Sequence, residues 1–311
     1  MSEAAGTPPL HEDRHWPRAS QWLAGDHAPG ARRLLRFLGV PLTLGSITPS
    51  RCDLAPAAIR AALARFSTCD LAHRCDVREL QAQDLGGLPL AESSVEAAQE
   101  PIREAVAGAL KGAEALVLLG GDNSITRPAL RGMSGDLNKA ALLTLDAHLD
   151  LRTLEGGLRN GNPVRALLAD GLPGENIVQI GIQSFANSTA YLRVADDAGI
   201  QVIPVEQVVQ EGIEIVTQRA LQSLSKRSEV LYVDLDLDVL DRACAPATAG
   251  SRPGGITPQE LRRAAWHCGQ HPRVRVMDLV EIDPTRDIND VTSMAAAACL
   301  LSFASGVLSR R

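Results

Sequence analysis

Two short runs of alternating acidic residues carry the chemistry of this chain. Residues 142–152 read Leu-Leu-Thr-Leu-Asp-Ala-His-Leu-Asp-Leu-Arg, a strand-like apolar run that ends in an Asp-x-His-x-Asp alternation over Asp146, His148 and Asp150. In an extended chain, residues two apart share a face at roughly 6–7 Å spacing, so two carboxylates and an imidazole converge at a strand end. The second run, Val233 to Asp241, sets Asp234, Asp236 and Asp238 on one face, with Asp241 following a bend. Carboxylates this close raise one another's pKa unless something neutralises them. A bound cation is the usual remedy, and imidazole with carboxylate suits a transition metal. Each run also has a plainer reading. The first could be a solvated rim with His148 as an ordinary capping side chain, and the second an exposed edge strand charged against aggregation. Flanks as apolar as a buried strand requires favour the cation. A calcium loop, which wants Gly and flexible oxygen ligands, fits less well.

Two further clusters have the same character. Gly120-Gly121-Asp122-Asn123-Ser124 follows the apolar run Ala115–Leu119, and Glu281-Ile282-Asp283-Pro284 follows Val274–Val280. As a phosphate cradle the glycine pair is weak, because no Lys-Ser/Thr and no G-x-G-x-x-G spacing accompany it.

These clusters need elements to position them. Continuous apolar strands are expected at Arg33–Val40, Ala115–Leu119, Leu142–Leu145, Ile177–Ile182, Gln201–Pro204, Val230–Leu235 and Val274–Val280. Helices are expected at Ala55–Phe66, Ser93–Leu110 (with Pro101 as a kink or restart), Pro163–Asp170, Ser188–Ala198, Gly212–Leu224, Pro258–His267 and Val291–Leu308. A helix should also open near Ser124, and 70–90 reads as irregular. Such alternation predicts a single α/β domain over residues 31–311, three layers α/β/α around a mainly parallel sheet, behind an N-terminal arm at residues 1–30. Trp16 and Trp22 would pin that arm to the body or to a neighbouring subunit. Ligands of such sheets bind outside the carboxyl ends of the strands, which places all four clusters on one rim.

Composition excludes other classes. A net charge of −6 and only 3% aromatic residues give no footprint for nucleic acid. No apolar run of about 18 residues is evident, so no membrane span is expected. The polar N-terminus lacks the core of a signal peptide. The 6 cysteines are scattered without a C-x-x-C pair, as free thiols in a reducing cytoplasm would be.

The four clusters, in order, resemble the motifs of the arginase/agmatinase (ureohydrolase) superfamily: Gly-Gly-Asp-His-Ser, Asp-Ala-His-x-Asp, Ser-x-Asp-x-Asp-x-x-Asp-Pro with a later Gly-Gly-Leu-Thr, and Glu-x-Asn/Asp-Pro. Here they stand as GGDNS (120–124), DAHLD (146–150), DLDLDVLDR (234–242) with GGIT (254–257), and EIDP (281–284). The resemblance runs from about Phe37 to Leu308. It implies an arginase-like fold, a homotrimer or homohexamer, and a di-manganese cluster. Asp146 and Asp236 would bridge the metals, Asp150 would complete the first site, and His148 with Asp238 the second. Glu281 would hold a planar amidine-type group while a bridging hydroxide attacks its carbon.

Three departures bear on what that implies. The family's first-site histidine is Asn123, a weaker neutral ligand, so the first Mn2+ should bind less tightly. A proton-shuttling histidine falls at Asn160, which cannot exchange a proton near neutral pH. The Ser and Pro of the third motif are Asp234 and Arg242. Asn at the first site occurs in the formiminoglutamase branch, whose leaving group is an amine on glutamate and whose other product is formamide. A small-molecule substrate with two carboxylates wants cationic clamps, and Arg127, Arg152, Arg159, Arg165 and Arg242 all fall in or beside rim loops. Arg152, Asn160 and Arg242 are the substrate-binding candidates, with Asp146, His148 and Glu281 as the catalytic set. The reaction expected is hydrolysis of N-formimino-L-glutamate to glutamate and formamide, as in histidine degradation. An agmatinase or other guanidino hydrolase is the alternative within enzymes, and a silent ligand-binding homologue the alternative outside them.

Overall fold

Strands buried on both faces demand helices on both faces, and the chain provides at least one between each pair of successive strands. In the computed structural model, which describes residues 13–310, eight strands form one sheet: β1 (Arg32–Val40), β2 (Leu80–Gly87), β3 (Ala115–Gly120), β4 (Ala140–Leu145), β5 (Ile177–Ile182), β6 (Gln201–Pro204), β7 (Val230–Asp236) and β8 (Val274–Val280). Their order is β2-β1-β3-β8-β7-β4-β5-β6, and every neighbouring pair is parallel. The helices are α1 (Ala19–Leu23), α2 (Ala55–Ala62), α3 (Val95–Ala109), α4 (Thr126–Met133), α5 (Pro163–Ala169), α6 (Thr189–Ala198), α7 (Val205–Glu211), α8 (Ile213–Leu224), α9 (Pro258–Gln270) and α10 (Val291–Leu308). One apolar layer holds α1, α2 and α7–α10 against the sheet, and the other holds α3–α6.

Strand β2 lies inside the stretch expected to be irregular. Its sequence, Leu-Gln-Ala-Gln-Asp-Leu-Gly-Gly, is too polar for a buried strand, and polarity suits its place at the sheet edge beside β1. Pro101 does not restart α3, which runs continuously from Val95 to Ala109 with Ser94 as its N-cap. Helix α4 opens through a short 3-10 turn over Asn123–Ile125.

The expected arm lies outside the described residues up to residue 12. Beyond that, Trp16 is exposed, whereas Trp22 is fully buried, with Nε1 donating to Leu80 O at 3.1 Å and its ring edge-on to Phe37 at 5.6 Å. By length and composition alone, helix α10 is apolar enough to cross a membrane. Its Ser, Thr and Gly residues hide that character from a scan for unbroken apolar runs. It packs against α9, and 78% of it is buried inside the protein. The backbones of α9 and α10 meet closely: a Cβ on Gly269 would fall 2.1 Å from Phe303 O, and one on Gly306 2.2 Å from Trp266 O.

Candidate active site

Strands β3, β8, β7 and β4 are neighbours at the middle of the sheet, so the segments leaving their carboxyl ends converge. Asp146 ends the apolar run of β4, and the loop that follows is pinned residue by residue. Asp146 N donates to Ile180 O (3.0 Å), Ala147 N to Asp238 Oδ1 (3.2 Å), His148 N to Asp146 Oδ1 (2.6 Å) and Leu149 N to Asn187 Oδ1 (2.8 Å). Asn187 Nδ2 donates back to Ala147 O (3.0 Å), and Gln179 Nε2 donates to Leu149 O (3.1 Å). Asp150 and Glu281 both sit in the left-handed region, at φ 52° and 68°. Non-glycine residues go there only when their surroundings over-determine it, commonly at functional sites.

The carboxylates are as buried as a metal site requires. Asp146, Asp150, Asp236, Asp238 and Glu281 are all at most 8% exposed. His148 Nδ1 lies 2.9 Å from Asp238 Oδ2 and 3.4 Å from Asp146 Oδ1. One ligand atom from each of Asp146, His148 and Asp238 can be chosen so that all lie within 4.8 Å of one another. Burial and then Asp238 push the Asp146 carboxyl up to about 7. Burial, followed by the neighbouring carboxylates, raises Asp150 and Asp236 well above the ordinary range. Asp238 alongside pushes the His148 imidazole up to about 12. A cluster this dry, with three carboxyls resisting ionisation and an imidazole retaining a proton, has too much negative charge for its own donors. A cation in place of those protons resolves it, and the N/O donor set suits manganese. The residues present therefore fit the metal.

Asn123 stands beside this group, oriented by three bonds. Its N–H donates to Glu281 Oε1 (2.7 Å), its Nδ2 to Asp150 Oδ2 (2.7 Å), and its Oδ1 accepts from Thr126 Oγ1 (2.6 Å). Asn160 Nδ2 donates to the same Glu281 oxygen (3.0 Å), while Asn160 Oδ1 accepts from Ile47 N (3.0 Å). Burial first, then Asp122, pushes the Glu281 carboxyl up to about 8, so a cationic group is the partner that would ionise it.

These side chains face a cleft of about 360 Å³, lined among others by His148, Asp150, Asp236, Asp238, Glu281 and Asn160. The arginines divide. Arg152 lines the cleft and no ion pair or side-chain hydrogen bond occupies it among the described residues. Arg127 is spent on Asp170 and Gln99. Arg242, expected to bind substrate, does not line the cleft: its Nη1 donates to Thr248 O at 2.9 Å. Arg252 lines the cleft. Asp234 sits one pleat below the rim, buried in register with Thr144 and Asp278, outside the cleft.

Gly250, Arg252 and Asn187 were not singled out from the sequence. The place of Gly250 follows from contact alone: a Cβ there would fall 1.9 Å from Asp238 Oδ2 and 2.8 Å from His148 Cε1.

Comparison with known proteins agrees with this architecture. A sequence model of the arginase family matches residues 34–305. Formimidoylglutamase from Halalkalibacterium halodurans is 36% identical, over 87% of this chain and 86% of that protein. The crystal structure of formimidoylglutamase from Bacillus subtilis superposes with a TM-score of 0.89 at 29% identity, covering 100% of this chain and 97% of that one. A Trypanosoma cruzi formiminoglutamase crystallised with Mn2+ shares the fold at TM-score 0.86 and 22% identity, covering 95% of this chain and 100% of that one.

Proposed function

The chain belongs to the arginase family, and from that premise we infer that it hydrolyses the amidine C–N bond of N-formimino-L-glutamate, giving L-glutamate and formamide. The observation that carries this reading is the polarity of the cleft. Its lining gathers the buried Asp150, Asp236, Asp238 and Glu281 with the exposed Arg152, which has no counter-ion among the described residues. A ligand with a cationic amidine at one end and carboxylates at the other fits that gradient. An agmatine-like ligand carries a cationic tail and would meet Arg152 with like charge.

As proposed, His148 and Asp238 would hold one Mn2+ and Asp150 with Asn123 the other, with Asp146 and Asp236 completing the set. Bound there, the cations supply Lewis acidity and water acidified enough to be nucleophilic near neutral pH. The side chains then do the positioning. Glu281, with Oε1 fixed by Asn123 N and Asn160 Nδ2, presents its carboxylate to the planar amidinium. Burial excludes competing water and strengthens that pairing. Asn160 donates but cannot shuttle a proton, so its role is to orient Glu281. Arg152 pairs with a substrate carboxylate. Asn123 offers only a neutral amide, which supports a first cation site weaker than the second.

A homotrimer or homohexamer is proposed on the family resemblance, and a cytoplasmic setting fits six free cysteines. Light scattering would test the first. The reaction itself is tested by products. Protein prepared with Mn2+ should release formamide and glutamate in equal amounts from N-formimino-L-glutamate, and little urea from agmatine or arginine. Urea release without formamide would overturn the reading.

A further inference from the structure

N-formimino-glutamate carries two carboxylates at different distances from the amidine: one on the carbon bearing the amidine nitrogen, the other at the end of the side chain. Two cationic groups are needed to read both. Arg152 is one of them. It lines both the cleft and an adjoining lobe of about 340 Å³, which it shares with Arg159, Tyr191 and Ile47.

Arg252 comes from a different loop, the one following β7, whose main chain at Gly250 runs against the proposed metal site. Its Nη1 donates to Gly250 O and lies 3.4 Å from Ser251 O. Gly250 is the residue whose missing Cβ lets the backbone press against Asp238 Oδ2 and His148 Cε1. The guanidinium is thus tethered by its own main chain to the wall carrying the histidine and aspartate of the proposed second cation site. No carboxylate is paired with Arg252 among the described residues, and its tether uses a single nitrogen. A fork of N–H donors is left for a ligand, the geometry that suits a carboxylate.

We propose that Arg252 is a specificity-determining residue that pairs with the carboxylate next to the amidine, while Arg152 takes the distal one. This rests on the formimino-glutamate reading for its substrate, and its test uses binding so that the two stand or fall separately. The probes are L-glutamate and 4-aminobutyrate, which differ only in the carboxylate on the amine-bearing carbon. Calorimetric titration into Mn2+-loaded wild-type, Arg252→Ala and Arg252→Lys proteins reads both. Arg252→Ala should weaken L-glutamate by roughly 10- to 100-fold, the range of a charged hydrogen-bonded contact, and leave 4-aminobutyrate unchanged. Arg252→Lys should fall between, keeping the charge and losing the fork. The melting temperature of each variant checks folding. Equal losses for both probes, no loss for either, or a wild-type protein that does not bind L-glutamate would overturn the assignment. If wild-type protein binds L-glutamate through Arg252 but releases no formamide, the assignment stands and the proposed reaction fails.

Discussion

Gly250→Ala is the smallest change that should disable the proposed metal site. The added methyl would fall 1.9 Å from Asp238 Oδ2, 2.8 Å from Asp238 Cγ and 2.8 Å from His148 Cε1. Carbon and oxygen settle no closer than about 3.3 Å, so Asp238 must retreat by more than about 1 Å or the 245–252 loop must lift. Metal ligands tolerate errors of about 0.2 Å. The φ of Gly250 is not in the left-handed region, so the backbone accepts alanine and the penalty comes from the contact alone. Losing one ligand's geometry should weaken Mn2+ by at least the roughly 10- to 100-fold seen when a ligand's support is removed. The assay is manganese content after gel filtration, read beside the melting temperature with and without added Mn2+. Gly108→Ala is the control: no atom lies within 4 Å of its added Cβ, on the exposed face of α3. It should keep its metal and gain about 0.5–1 kcal/mol. Full manganese content in Gly250→Ala, with Asp238 in place, would refute the reasoning.

Other outcomes follow from the same geometry. Asn123→His should raise manganese per chain, because an imidazole replaces an amide as the partner of Asp150; unchanged stoichiometry counts against the ligand assignment. Stripping divalent cations with a chelator should lower the melting temperature, and restoring Mn2+ should raise it progressively with concentration. Arg310→Ala should cost roughly 2–5 kcal/mol by urea denaturation, because the buried guanidinium satisfies Gly269 O, Val274 O and Glu114 together. At Asp84, burial opposes ionisation, but Arg60 and the Gly86 N–H outweigh it and hold the pKa below its ordinary value. The stability lent by that pair is present above the unfolded carboxylate pKa near 4 and is lost as pH falls through the lower folded value. The gap in urea midpoint between wild type and Asp84→Asn should therefore be flat at neutral pH and close in acid.

Much of the rim was legible because its chemistry is local. Asp146, His148 and Asp150 lie within five residues at the end of an apolar run, and a period-two alternation there has few other uses. The same holds for Asp236 and Asp238. Edge strand β2 was missed because a strand with one free side does not need the apolar signature on which strand recognition depends. That Arg242 bonds Thr248 O and does not line the cleft is hidden from a one-dimensional reading, which knows which loop a residue belongs to but not where its side chain runs. Asn187 acts through main-chain bonds to Ala147 and Leu149, and Gly250 through its contacts with Asp238 and His148. Nothing in their own neighbourhoods announces it.

The account turns on what lies between the aspartates of β4 and β7. An anomalous difference map at the manganese edge, from crystals grown in Mn2+, reads this directly. A strong peak bounded by Asp146, His148, Asp236 and Asp238, with a weaker one toward Asp150 and Asn123, is the predicted result. A map without density there, in crystals whose Asp238 and His148 still pair as an isolated ion pair, would contradict it.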